Sequence, residues 1–142
     1  MKERVLLVDD EPEFLEIMAE RMRARDMDVT TSTSASEALK LIATDSYDAV
    51  IMDFMMPGMD GIQALKAVKE KRPEMQIILL TGHATVEKGV EAMKAGAMDF
   101  VEKPADLDAL SEKIKKAHSK KAVIVQKQTQ EKVIEVLRKF GM

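Results

Sequence analysis

Five positions in this chain can combine into one chemistry: the adjacent acids Asp9 and Asp10, a third acid at Asp53, a hydroxyl at Thr81 and an amine at Lys103. Three carboxylates brought together repel one another, which raises their pKa values unless a cation sits among them. A hard divalent ion suits an acidic cluster with no His or Cys, and Mg²⁺ typically takes one or two carboxylates, several waters and a phosphate oxygen. Thr81 can then give a hydroxyl hydrogen bond, and Lys103 a positive charge, to the oxygens of a phosphoryl group. All the parts for phosphoryl transfer to a carboxylate are present. Asp53 fits the nucleophile's role best, because the glycine-containing loop after it can leave one face of the carboxylate open to an in-line donor.

For these residues to meet, the chain must put them at one edge of a fold, and its patterning does so. Arg4 to Asp9 is a short apolar run of the kind buried on both faces of a parallel sheet. Pro12 opens a helix whose Leu15, Met18, Ala19 and Met22 fall at i, i+3, i+4, i+7, running to about Arg25. Asp28 to Thr33 reads as an edge strand, and Ser34 or Ser36 caps a helix carrying Ala38, Leu39, Ile42 and Ala43. Ala49 to Asp53 is a strand ending in an acid, Pro57 to Gly61 a turn, and Ile62, Leu65 and Val68 mark a helix stopping before Pro73. Gln76 to Leu80 is the most apolar strand; Thr85 to Ala95 is a helix closed by Gly96, Asp99 to Glu102 a short strand, and Asp106 starts a helix with Leu107, Leu110, Ile114 and Ala117. Such alternation predicts an α/β fold with a doubly wound parallel sheet, whose ligands bind beyond the carboxyl ends of the strands. Asp9, Asp10, Asp53, Thr81 and Lys103 all lie at those ends.

Composition narrows the rest. At 142 residues the chain is one domain's length, and 46% hydrophobic content supplies a core. No apolar run approaches the roughly 18 residues of a membrane span, so neither a signal peptide nor an anchor is expected. With no cysteine, disulfides and thiolate chemistry drop out, and a cytoplasmic setting is expected. A net charge of -3 argues against a direct nucleic-acid role.

The ordered set Asp9-Asp10, Asp53 with Met56-Pro57-Gly58-Met59-Asp60-Gly61, Thr81-Gly82, and Gly96-Ala97-Met98-Asp99-Phe100-Val101-Glu102-Lys103-Pro104 resembles the receiver domain of two-component response regulators, in its single-domain, chemotaxis-regulator-like form. The resemblance covers roughly residues 3 to 120 and implies a flavodoxin-like (βα)5 fold of strand order 2-1-3-4-5. It implies Asp53 as phosphoacceptor, Asp10 as a direct Mg²⁺ (or Mn²⁺) ligand, Asp9 as a ligand through water, and the backbone carbonyl of Met55 as a further ligand. Lys103, Thr81 and the backbone N–H of Gly82 would bind phosphoryl oxygens. The donor would be a histidine kinase or histidine phosphotransfer protein, with acetyl phosphate able to substitute. Thr81 and Phe100 would form the switch that reshapes the face of the fourth helix, fifth strand and fifth helix for a downstream protein. Met55 and His83 would flank the path of the hydrolytic water, and Phe14, Ile17 and Pro104 would lie toward docking partners.

Several readings stay open at this level. Met55, Met56 and Met59 serve either as a soft docking surface or as gap fillers. Lys113, Lys115, Lys116, Lys120 and Lys121 suit an anion-binding stripe or a solvated face, and His118 reads as solvated. Residues 121 to 142 read as a helical extension outside the 3 to 120 receiver, with Gln126 to Gln130 a polar link before an amphipathic helix holding Val133, Val136, Leu137 and Phe140; homodimerisation is one use for that apolar face. The alternatives to a single-domain regulator are the excised receiver of a longer transcriptional regulator, a phosphorylation-independent interaction module, and a haloacid-dehalogenase-type phosphohydrolase, whose second Asp would stand where this chain has Met55. Flavin binding is a fold-level analogy only.

Overall fold

The computed structural model describes residues 2–56, 58–82 and 85–141, with the side chain of Met59 set aside. Five strands, β1 (Arg4–Val8), β2 (Asp28–Ser32), β3 (Ala49–Asp53), β4 (Ile77–Thr81) and β5 (Asp99–Glu102), form one parallel sheet in the order β2-β1-β3-β4-β5. Five helices alternate with them: α1 (Pro12–Arg23), α2 (Ala35–Thr44), α3 (Gly61–Lys71), α4 (Val86–Lys94) and α5 (Leu107–Lys139). The flavodoxin-like order is the expected one. A detail differs: between β3 and α3 the chain folds into a small antiparallel hairpin, Met55–Met56 against Met59–Asp60, where only a turn was expected. Pro57 of that turn lies outside the described residues.

Alternation along the strands sorts the core into two layers. Val5, Leu7, Ile51, Ile78 and Leu80 face α1 and α5, against Leu15, Met18, Met22, Leu110, Ile114 and Ala117. Leu6, Val8, Val50, Met52, Ile77 and Leu79 face the other way, against Ala38, Ile42, Leu65, Val68 and Ala92 of α2, α3 and α4. Each fully buried Leu or Ile contributes about 1.5–3 kcal/mol, so the two layers clamp the sheet and fix the positions of its strand ends. Ser34 and Asp106 cap α2 and α5 as the sequence reading has them, while Asp60, read as part of a turn, and Thr85, read as the first residue of its helix, likewise accept a backbone N–H at the start of α3 and α4.

The C-terminal segment departs from expectation. Gln126 to Gln130 is no link: α5 runs unbroken through it, 33 residues in all. None of those positions holds a Gly or Pro, and polar residues that propagate a helix well need no apolar partner. His118 is likewise not simply solvated. Its Nδ1 lies 2.8 Å from Asp48 Oδ1, while Lys121 Nζ donates to Ser46 Oγ at 2.6 Å and Arg4 N–H donates to Asp48 Oδ2 at 2.8 Å, pinning α5 across the start of β3. Of the lysines, Lys113 pairs with Asp99 and the exposed Lys115 with Glu112.

One glycine closes the loop that follows Asp53. A Cβ on Gly61 would stand 2.5 Å from the backbone oxygen of Phe54, which accepts the Gly61 N–H at 3.0 Å. No backbone there can yield cheaply. Gly61→Ala is expected to cost about 1–3 kcal/mol by the usual overpacking penalty, seen as a lower thermal midpoint; an unchanged midpoint would mean the hairpin relaxes freely.

Candidate functional site

Strand register builds the site. Val8 pairs with Met52 across β1 and β3, so the next residues along, Asp9 and Asp53, stand side by side at the sheet edge. Thr81 pairs with Glu102 across β4 and β5, and the N–H of Lys103 donates to the Thr81 carbonyl at 2.7 Å, which places Lys103 immediately beyond the same edge. Asp9, Asp10 and Asp53 each offer an oxygen within 4.8 Å of the others. Asp9 is fully buried, Asp53 and Thr81 nearly so, and Asp10 faces solvent.

The Lys103 ammonium sits among these acids, 2.6 Å from Asp9 Oδ2, 3.4 Å from Asp53 Oδ2 and 3.7 Å from Glu11 Oε1. Beyond this close ammonium, no donor among the described residues reaches the buried Asp9 Oδ2, which keeps accepting capacity. Asp9 Oδ1 accepts the Glu11 N–H at 2.9 Å. Asp53 Oδ1 accepts the Met55 N–H at 3.0 Å, which turns Oδ2 toward Lys103 and the open side. Burial pushes the Asp53 carboxyl above the usual carboxylate range; the Met55 N–H opposes this, Asp9 adds to it and Lys103 opposes it. For Lys103 burial works downward, yet Asp9, Asp53 and Glu11 together hold the ammonium above its usual value. An under-filled carboxylate oxygen, three converging acids and one cation shared among them fit a divalent metal ion. Asp9, Asp10 and Asp53 are the residues whose side chains would hold it.

The other expected positions fall around this centre. Met55 is exposed at its rim, and Gly82 is exposed after β4. Phe100 on β5 is half-buried and meets the Phe54 ring edge-on, centroids 5.7 Å apart, with Gly89 of α4 beside it. Phe14 is half-buried with its ring 4.5 Å from Lys103 Nζ, whereas Ile17 is about half exposed. Pro104 is exposed behind a cis peptide bond. His83 lies outside the described residues. Sequence reasoning missed Glu11, Phe54 and Lys88. Only Glu11 carried a signal, a third acid directly after the pair; Phe54 reads as one more apolar residue, and Lys88, 5.7 Å from the Phe54 ring centroid, as a surface lysine. A cleft of about 730 Å³ opens beside the acids, lined by Asp10, Phe54, Met55, Met56, Asp60, Lys88 and Glu91. Among the described residues no helix is long and apolar enough to cross a membrane.

The family model for the response regulator receiver domain matches residues 5–115, and the chain belongs to that family. A putative response regulator NtrX-like of Rickettsia bellii is 36% identical over 115 residues, 80% of this chain and 24% of that protein. The response regulator TrrA of Thermotoga maritima, solved in complex with Mg²⁺ and BeF, is 35% identical, covers 82% of this chain and 99% of its own, and superposes with a TM-score of 0.74. The solution structure of a beryllofluoride-activated NtrC4 receiver domain dimer is 31% identical, covers 83% and 98%, and has a TM-score of 0.78. The chain spans about a quarter of the length of the curated relatives it matches.

Because folding forces the Asp53 carboxylate into a site where its charge is disfavoured, that charge costs stability. The cost is fully present above the raised folded-state pKa, fades as pH falls from there toward the ordinary carboxylate value, and is gone below it. Asp53→Asn should therefore raise the metal-free thermal midpoint at neutral pH, with the advantage shrinking in acid. Lys103→Ala should do the reverse, and should enlarge the upward shift that millimolar Mg²⁺ produces, since a competing cation has gone. Midpoints indifferent to either substitution would show that these charges do not feel one another.

Proposed function

We propose that this receiver accepts a phosphoryl group on Asp53 from a histidine kinase or histidine phosphotransfer protein, in the cytoplasm, and that phosphorylation switches its binding to a downstream protein. The observation that carries the reading is the pairing of a buried, charge-stressed Asp53 with Asp9 and Lys103 at an open strand edge. Asp53 Oδ2 attacks phosphorus as the bond from phosphorus to the donor's imidazole nitrogen breaks, and that nitrogen keeps the electron pair. The Met55 N–H on Oδ1 holds the nucleophile's orientation. Bound by Asp9, Asp10, Asp53 and the Met55 carbonyl, Mg²⁺ or Mn²⁺ would neutralise charge on the transferring group. Lys103 already stands within ion-pair distance of Asp53 and would exchange that contact for a phosphoryl oxygen. The Thr81 hydroxyl and the Gly82 N–H would bind the remaining oxygens. Movement of Thr81 would be transmitted through Phe100, which lies between Phe54 and Gly89 of α4, to the face of α4, β5 and α5.

A second reading has its own support: this receiver is the input part of a longer transcriptional regulator. Curated relatives named as transcriptional regulatory proteins are three to four times as long as the matched region. On that reading, residues 121–139 of α5 would lead toward the output module, and the exposed Val133, Val136 and Leu137, with Phe140 at the helix's C-cap, would be a surface for pairing two copies.

Incubation with acetyl phosphate and Mg²⁺ should add one phosphoryl mass, and the addition should vanish in Asp53→Asn or in excess chelator. A mass gain that survives either condition sinks the reading. Lys103→Ala should still bind Mg²⁺ while losing most of the phosphorylation rate, about 10-fold or more if a charge-assisted contact worth about 1.5–3 kcal/mol is gone. The signal's lifetime should depend on Met55, whose exposed thioether is a weak acceptor for the hydrolytic water and whose bulk stands at the site's rim. Met55→Asn is expected to shorten the phosphorylated lifetime severalfold and His83→Ala to change it less. An unchanged or longer lifetime for Met55→Asn would show that water attack is limited elsewhere.

A further inference from the structure

Lys103 faces a conflict that its carboxylate partners cannot resolve. A lysine side chain has four methylenes and costs rotamer entropy to hold still. In this site the strongest pull on it comes from Asp9, at 2.6 Å, and not from Asp53, at 3.4 Å. Glu11 adds a third pull from the solvent side, at 3.7 Å. A carboxylate that restrains the ammonium also engages its N–H donors, the same groups that a phosphoryl oxygen at Asp53 would need. A restraint that leaves those donors available must attract the charge without accepting a directed hydrogen bond.

The Phe14 ring meets that requirement. Its centroid lies 4.5 Å from Lys103 Nζ, well inside the roughly 6 Å range in which a ring face attracts a cation. Both partners are only partly exposed, the Lys103 side chain at 15%, so solvent screens the attraction less than on an open surface. The ring itself is held: Phe14, on the first turns of α1, packs with Leu107, Ala105 and Val101 against the layer that joins α1 and α5 to the sheet. α1, which carries Phe14, and the segment after β5, which carries Lys103, thus meet at one ammonium.

We infer that Phe14 is a positioning residue for phosphoryl transfer, its ring face holding the Lys103 ammonium beside Asp53 with N–H donors left for the phosphoryl oxygens. The inference rests on the reading of Asp53 as acceptor and Lys103 as its phosphoryl partner. It differs from a docking role for Phe14, which would act through a protein donor, and from simple space filling, which a leucine would largely replace.

The test uses the full chain with acetyl phosphate and saturating Mg²⁺, so that no protein donor touches α1, and compares the parent with Phe14→Leu, Phe14→Tyr, Lys103→Met and the Phe14→Leu/Lys103→Met double variant. Phe14→Leu should slow phosphorylation about three- to tenfold, the span expected for a partly desolvated cation–ring contact. Phe14→Tyr, which keeps the ring, should recover the parent rate to within about twofold. In the Lys103→Met background, Phe14→Leu should change the rate less than about twofold, because the group it acts through is gone. Thermal unfolding without metal or donor should show the same non-additivity, a readout independent of phosphorylation. A Phe14→Leu variant as fast as the parent, or equally slowed with and without Lys103, would overturn the inference while leaving the acceptor reading intact. A parent that takes up no phosphate would overturn both.

Discussion

The organising constraint is electrostatic. Parallel pairing of β1 with β3 aligns Asp9 beside Asp53, and the layers above and below the sheet bury both. Two carboxylates in such a place are stable only with a cation at hand. In the structure Lys103 fills that need, delivered by β5 through its backbone bond to Thr81. The strand order, the register and the short segment between Glu102 and Asp106 serve to bring one ammonium to one pair of acids.

The same constraint makes the site responsive. Lys103 serves Asp9, Asp53 and Glu11 at once and satisfies none of them fully, since Asp9 Oδ2 retains accepting capacity. A divalent ion or a phosphoryl group changes how that single positive charge is shared. On the proposed switch, a rearrangement would be felt along β4 and β5, the neighbouring strands that carry Thr81 and Phe100, and then at α4, whose Gly89 lies beside the Phe100 ring. A small change of charge at the edge thus has a packed aromatic contact through which to act.

Much of this was legible in the residues alone. The five strands follow from short apolar runs, and the helices from i, i+3, i+4 stripes with starts at Ser34, Thr85 and Asp106, because burial period and capping are local properties. Placement of Asp9, Asp53, Thr81 and Lys103 at strand ends followed directly. What escaped depends on distant partners. The link from His118 to Asp48 joins positions 70 residues apart, and no local pattern records it. The hairpin after Asp53 depends on a close approach of Gly61 to Phe54, and the seat of Lys103 on Phe14 depends on how α1 meets the loop after β5. Spacing showed which residues share an edge; packing decides which of them touch.

The central claim is that the charge-stressed carboxylate at position 53 is the one that becomes covalently modified. Borohydride reduction of the acetyl-phosphate-treated chain converts an aspartyl phosphate to homoserine, and peptide mass mapping then locates it. Homoserine at position 53 alone is the result this account expects. Homoserine at position 9, 10 or 60 in place of 53, or none in a chain that has gained phosphate, would contradict it.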